Sequence, residues 1–356
     1  MNKSDKIQKE GDWWSNINWA AMEKTVKIFQ ERISVAIIAG DKKQGEKLMK
    51  LLVNSESTKL YAIYCITQKN KGRYTPGIDG KRYLTPEKRM SLSNEDFDYK
   101  KYKFQPIVKR YIPKNKKFFK MEHFLKNKNV LSEPIKTRSL GIMTIKDKVM
   151  AKIISFALIA KWETLFESNV MGFRPGRSRQ DAINRVCNEL KKGDKVILEA
   201  DIKDFFENVK HKVIMDKIEV FKEIIGNLLK IKIMENKKIC KKTKGIVQGN
   251  PLSPILANIA LHGMQGLFEV KPVKGKQIEQ SKKITLIRYG DDFVVIAPSR
   301  QILEKRVLPK IRQFLKKRGL SLNNEKTRIV SKKEGFNFLG YTLKEEKVIS
   351  IKDFQK

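Results

Sequence analysis

The chain of 356 residues carries 76 Lys and Arg against 39 Asp and Glu, a formal charge of +37, and is 40% hydrophobic. That length allows two or three domains around real cores, and the apolar content with scattered aromatics excludes a disordered polymer. A cation excess this large needs a polyanion to offset its self-repulsion, and nucleic acid is the obvious one, with an AT-rich genome explaining only a minor share of the lysines.

The N-terminus, Met1-Asn2-Lys3-Ser4-Asp5-Lys6, has no apolar h-region, and no apolar run approaches the ~20 residues of a membrane span. A soluble intracellular protein that stays where it is made is the expectation, with no membrane partner. Residues 14–68 read as helices, with Trp14, Ile17, Met22, Val26, Phe29 and Ile33 at roughly helical spacing. Asp41 suits the N-cap of a second helix carrying Leu48, Leu51 and Leu52, and Leu60, Ile63 and Tyr64 mark a third. Asn70 to Gly80 is a Gly/Pro loop whose basic start suits phosphate and whose spacing equally suits a linker. Residues 99–137 are basic with interleaved Tyr102, Phe104, Tyr111, Phe118 and Phe119, a mixture fitting a nucleic-acid groove or a solvated charged loop. Lys114 to Pro134 reads as an insertion.

Thr137-Arg138-Ser139-Leu140-Gly141-Ile142 leads into a helix from Lys146 to about Phe166. Gly172-Phe173-Arg174-Pro175-Gly176-Arg177-Ser178, ahead of a helix from Asp181, is weakly suggestive of a phosphate clamp. Residues 195–201 form a strand ending on Asp201, followed by a turn and helix at Lys203-Asp204-Phe205-Phe206. Gly245 to Pro251 is a loop, with Pro251 placed to start a helix through Ile255 and Ile259. A helix near 301–318 precedes a strand-like stretch, Gly335 to Leu343.

Between these, Ile284 to Ala297 holds two short β-branched runs around Gly290-Asp291-Asp292, the pattern of a hairpin with two carboxylates at its tip. Adjacent acids repel, so a divalent cation would account for them, since Mg²⁺ prefers carboxylate and phosphate oxygens. Asp-Asp is also ordinary turn chemistry, and this stretch alone leaves both readings open. Cys65, Cys187 and Cys240 form no CxxC pair, and His123, His211 and His262 are the only histidines, which argues against a disulfide framework, a zinc site or a His-based nuclease. Asp201 offers a third acid. Two Mg²⁺ ions ~4 Å apart can activate a 3′-hydroxyl and hold the leaving pyrophosphate. Asp201 and Asp291 would bridge such a pair, with Asp292 beside them, if a sheet brings their strands together. Aspartates at strand ends are common on any α/β fold. Five positions beyond Asp201, the ring of Phe206 under an incoming sugar would clash with a 2′-hydroxyl. The plainer reading puts Phe205 and Phe206 both in the core.

The order of Arg138-Ser139-Leu140-Gly141-Ile142, Gly172 to Ser178, Asp201-Ile202-Lys203-Asp204-Phe205-Phe206, Gln248 to Ile259, Tyr289-Gly290-Asp291-Asp292 and Leu339-Gly340 resembles the reverse transcriptases encoded by group II introns. The likeness spans roughly residues 12 to 345. It implies an α+β fold, a right-hand polymerase with fingers (96–190) and a palm with an antiparallel sheet (191–345), after a helical N-terminal extension (1–95). It implies Asp201, Asp291 and Asp292 as metal carboxylates, with Ile202 beside Asp201 in the metal set, for two Mg²⁺ ions. Phe206 matches the sugar gate, Gln248 and Gly249 the loop against the incoming nucleotide, and Arg138 and Lys136 the groups facing its triphosphate. Lys326 matches a palm lysine near the leaving phosphate, a candidate proton donor. Arg174 and Arg177 match positions that shape the fingers and template path, where a structural role fits as well, Tyr289 a nucleic-acid-binding position, and Phe338, Leu339 and Gly340 the primer-grip hairpin.

The expected function is RNA-directed DNA synthesis in intron mobility and splicing, with intron RNA, a DNA primer or target and dNTPs as partners, in an organelle or a bacterial cytoplasm. Three departures stand out. The family usually has Ala at Gly290 and Pro at Ser139, and the chain stops at Lys356, leaving only the short tail 346–356 where a thumb or maturase region would continue. A fragment, a separate thumb-bearing partner and a reduced repertoire all fit that ending. The competing expectations are an RNA-binding maturase-like splicing factor with little polymerase activity and a viral RNA-dependent RNA polymerase. Phe206 and the motif order speak against the last.

Overall fold

The computed structural model describes residues 12–113, 137–235, 238–268, 284–345 and 347–350. It divides into two units, one of residues 1–161 and 218–253 and one of 162–217 and 254–356.

The first unit opens with three helices, Trp19–Ile38, Lys42–Asn54 and Glu56–Tyr64. Their starts follow from capping chemistry. Asn18 accepts the Ala21 N–H, and Asp41, as its sequence position predicts, accepts the Gln44 N–H. Val26, Ile33, Leu48, Met49, Leu52 and Ile63 fill the space between them, and Trp19 stacks on Tyr64 with centroids 4.4 Å apart. The Gly/Pro loop begins as a 3-10 turn, Lys71–Tyr74, where Arg73 donates to the Gln68 carbonyl.

The same unit holds a four-stranded sheet in the order β2-β1-β4-β5, from β1 (Ile107–Pro113), β2 (Thr137–Ile142), β4 (Lys232–Glu235) and β5 (Lys238–Lys241). β1 runs parallel to β4, and the other pairs are antiparallel. Tyr102 is half-buried. Its hydroxyl donates to the buried Asp147 at 2.9 Å, and its ring meets Phe97 and Phe104. Tyr111 is exposed and donates to Glu235. Phe118, Phe119 and the insertion lie outside the described residues.

The second unit is built on a four-stranded antiparallel sheet, order β6-β7-β3-β8, from β3 (Val196–Asp201), β6 (Thr285–Tyr289), β7 (Asp292–Ala297) and β8 (Arg328–Ser331). Ile197, Ile287, Val294, Ile296 and Val330 supply one face. Ala182, Ile183, Val186 and Leu190 of the Arg179–Leu190 helix pack on it. That helix starts with a capping box, Ser178 and Asp181 each accepting the other's N–H. A three-stranded antiparallel sheet, β9 (Phe336–Phe338), β10 (Tyr341–Lys344) and β11 (Lys347–Ser350), extends the same core through Phe336, Phe338 and Leu343. The α+β class expected from the sequence is what the chain adopts. No helix among the described residues is long and apolar enough to cross a membrane.

Candidate active site

β3 ends on Asp201 and β7 begins on Asp292, and their antiparallel register sets the two residues directly opposite. Side chains so paired share a face, with Cβ atoms roughly 5 Å apart, and like charges there repel. β6 and β7 close through Gly290–Asp291, with Tyr289 opposite Asp292. Gly290, first of the two turn residues, has φ +69°, the requirement of a II′ hairpin turn. The sheet thus gathers the three acids that lie far apart in sequence.

The electrostatics of the cluster are unfavourable on its own terms. Burial raises the Asp291 pKa, and the Asp201 charge adds to it. Asp292, although it keeps an exposed edge, is pushed up to about 6, by the protein around it first and then by Asp291 and Asp201. One cation answers directly: Lys326 Nζ lies 2.7 Å from Asp201 Oδ2, a bond that raises the pKa of the ammonium. A second cation lies under the turn. Arg288 of β6 is fully buried, and its Nη1 donates to Asn258 Oδ1 and to the Gly290 carbonyl, each at 2.9 Å. Burial lowers its pKa to about 10, which leaves it charged at neutral pH. Asn258 Nδ2 in turn donates to the Gly172 carbonyl at 2.8 Å. Arg288 and Asn258 were missed as functional residues in the sequence. The available signal was a charged residue within the short strand Thr285–Tyr289, beside the apolar Leu286 and Ile287.

The loop that follows Val170 is clamped onto the turn. A Cβ on Gly172 would stand 2.5 Å from Gly290 N and 2.7 Å from Tyr289 C, so only glycine fits. Arg174 anchors the loop from inside. Its Nε meets both Glu163 oxygens at 3.1 and 3.0 Å, and its Nη1 donates to the Glu167 and Val170 carbonyls. Arg177 donates to the Ser168 carbonyl. Arg174 is therefore committed to the fold rather than offered to a phosphate. Of the two phenylalanines after Asp201, Phe205 is buried and Phe206 half-buried, so only the first is a full core residue. Ile202 is buried and bridges to Leu322. Phe338 is likewise a core side chain. Leu339 and Gly340, at φ +53° and +84°, form the tip of the β9–β10 hairpin.

Within the first unit, β2 carries Arg138, which is exposed, and packs against the loop of Gln248 and Gly249. The Gly141 N–H donates to the Gln248 carbonyl at 2.9 Å, and a Cβ on Gly249 would meet Leu140 at 2.6 Å. Lys136 lies outside the described residues.

Among the described residues no three Asp, Glu, His or Cys side chains close into a metal cage. A Mg²⁺ ion handling phosphates is held by one or two carboxylates, water and the substrate's own phosphates rather than by an all-protein cage. Hard carboxylate oxygens, crowded against their own repulsion, fit such an ion.

A family model for reverse transcriptase (RNA-dependent DNA polymerase) matches residues 112–343, and one for the N-terminal domain of reverse transcriptase matches residues 14–95. The chain belongs to the reverse transcriptase family. Among curated proteins it is similar to the group II intron-encoded protein LtrA of Lactococcus lactis subsp. cremoris, 25% identical over 352 residues covering 82% of this chain and 56% of LtrA. Protein YkfC of Escherichia coli K12 is 25% identical over 317 residues, 78% of each chain. Maturase-like protein 1 of Euglena gracilis is 26% identical over 342 residues, 93% of this chain and 66% of that protein. The chain thus spans little more than half the length of LtrA. Among solved structures, a telomerase from Candida albicans aligns with a TM-score of 0.48 and 14% identity, over 71% of this chain and 46% of that one. The resemblance to group II intron-encoded enzymes drawn from the motifs is borne out by these relatives.

Proposed function

We propose that this chain is an RNA-directed DNA polymerase associated with a group II intron, extending a primer 3′-hydroxyl with deoxynucleotides in intron mobility. The single observation behind this reading is the register that sets Asp201 against Asp292 beside the Gly290–Asp291 turn. In it the β6-β7-β3-β8 sheet is the palm. Asp201, Asp291 and Asp292 would hold Mg²⁺, with Ile202 adjoining. Two such ions, when bound, supply charge neutralisation for the attacking hydroxyl and the leaving pyrophosphate.

The chain's own groups do the rest. Lys326, kept protonated by Asp201, offsets one carboxylate and stands ready to give a proton to the leaving phosphate. Arg288 holds the Gly290 carbonyl, and with it the direction of Asp291. Phe206 excludes a 2′-hydroxyl. Arg138 and Lys136 would face the triphosphate, and Gln248 and Gly249 the nucleotide. Arg177, Tyr289, Leu339 and Gly340 line the paths of template and primer.

The test is primer extension by the full chain with Mg²⁺, an RNA template, a DNA primer and dNTPs. Asp291→Asn is expected to lower extension by at least about a thousandfold, the scale of removing an essential electrostatic group, while RNA affinity is unchanged. Wild type and variant equally inert, with both binding RNA, would instead identify an RNA-binding, maturase-like splicing factor.

A further inference from the structure

The ring assigned to the sugar gate is not held by its own backbone alone. Phe206 lies half-buried in the short Phe205–Asn208 helix. Two rings meet it edge-on: Phe205 with centroids 5.2 Å apart at 83°, and Phe173 at 6.3 Å and 78°. Phe205 belongs to the core. Phe173 is 39% exposed, so burial does not account for a large ring at this position.

The backbone of Phe173 is also in an unfavourable state. Its φ is +62°, a region that bulky L-residues rarely adopt and that persists only where the surroundings impose it. Here they do. Gly172 is pressed on the Tyr289–Gly290 backbone on one side, and Arg174 is locked to Glu163 on the other. The Phe173 ring also fills the space beside Gly290, where a Cβ would come within 2.8 Å of its Cε2. A strained, accessible aromatic is thereby fixed between the acidic turn and Phe206.

A steric gate excludes a hydroxyl only up to the free energy needed to push the gate aside, and a half-buried ring able to change rotamer is a weak one. We infer that Phe173 is a specificity-determining residue that backs Phe206 and stops it swinging away from the 2′-hydroxyl of an incoming ribonucleotide. The inference rests on the reading of Phe206 as the sugar gate. An edge-to-face pair of this kind corresponds to a roughly 2- to 10-fold effect.

The experiment measures kcat/KM for a dNTP and the matching rNTP in primer extension by the full chain. Wild type is compared with Phe173→Gly, Phe173→Tyr, Phe206→Ala and the Phe173→Gly/Phe206→Ala double variant. Phe173→Gly removes the ring and also relieves the positive φ, and thermal unfolding checks that the fold persists. Its dNTP-to-rNTP ratio is expected to fall roughly 2- to 10-fold, chiefly through a lower KM for the rNTP. Phe173→Tyr keeps a ring and is expected to keep the ratio. Phe206→Ala is expected to lower the ratio further, and the double variant to match it, because Phe173 acts through Phe206. An unchanged ratio in Phe173→Gly, alongside a fall in Phe206→Ala, overturns the inference and leaves the gate standing. An unchanged ratio in Phe206→Ala overturns the gate and this inference together. A wild type that extends no primer overturns the polymerase reading itself.

Discussion

Replacing Gly290 with Ala tests the clamp at the turn, and it does so against the family's habit of Ala there. Two costs add. Gly290 has φ +69°, which costs an L-residue about 1–2 kcal/mol. The new methyl would also sit 2.8 Å from Cε2 and 3.2 Å from Cζ of Phe173. That ring cannot yield freely, because Gly172 behind it already touches the Tyr289 backbone, and overpacking of this kind costs about 1–3 kcal/mol. A total near 3 kcal/mol is expected, a fall in Tm of roughly 6–12 °C for the transition that carries this sheet. The assay is thermal unfolding together with primer extension. Phe173→Gly in the Gly290→Ala background removes the overlap and leaves the φ cost, so the double-mutant cycle is expected to give a coupling of about 1–2 kcal/mol. A Gly290→Ala protein with wild-type Tm and rate, or strictly additive single effects, would refute the clamp.

Three further outcomes are expected. Burial pushes the Glu167 carboxyl up, but hydrogen bonds from His262 and the Gly263 N–H outweigh it and hold the pKa down to about 2. Because the folded value lies below the ordinary one, this stabilisation is full above about pH 4.5 and drains away as pH falls toward 2. The shift corresponds to about 3 kcal/mol, reduced to about 2 kcal/mol by solvent screening of the part-exposed carboxylate, and Glu167→Gln should flatten that acid limb in urea titrations at pH 3 and pH 6. Arg288→Met removes the one nitrogen that donates to both Asn258 Oδ1 and the Gly290 carbonyl, so it should cost about 2–3 kcal/mol of stability by denaturant unfolding; an undiminished midpoint would mean the guanidinium holds nothing. RNA affinity should fall with salt at a slope of about −0.7 per neutralised phosphate of a single strand, and a flat response would detach the +37 charge from RNA binding.

The sequence carried local signals well and long-range ones poorly. Asp41 capped its helix as read, and Ser178 with Asp181 began another, because a cap depends on residues within one turn of each other. The hairpin at Gly290 was legible for the same reason. What no window revealed was β1 lying parallel to β4, two strands separated by more than a hundred residues and paired over only Ile107–Ile233 and Val108–Met234. Composition left Tyr102 open between a nucleic-acid groove and a charged loop, and its hydroxyl donates to the buried Asp147. Arg174 likewise had two readings. Gly, Pro and Arg suggested a phosphate clamp, but a carboxylate eleven residues earlier in the chain takes the guanidinium. In both cases a carboxylate inside the fold takes up the side chain's donors. Arg138 and Gln248, by contrast, were grouped by motif order alone, and the first unit does put the β2 strand of one against the loop of the other.

A chain at +37 attracts phosphates, yet the ends of its central strands β3 and β7 and the turn beside them gather three acids, where on the proposed reading a primer and a triphosphate would have to meet. Lys326 offsets one of these charges, and Arg288, buried beneath, helps hold Asp291 in its ionised form without reaching solvent. The remaining negative charge repels phosphate until cations arrive. On the proposed polymerase reading, polyanion capture and catalytic alignment are electrostatically separable: a cationic surface would need no metal to bind RNA, whereas the acid cluster would admit phosphates only with one. RNA binding that persists in EDTA, with dNTP binding lost, is the pattern this arrangement produces. If EDTA instead weakened both alike, the acids would be part of the RNA surface and the division between grip and chemistry would fail.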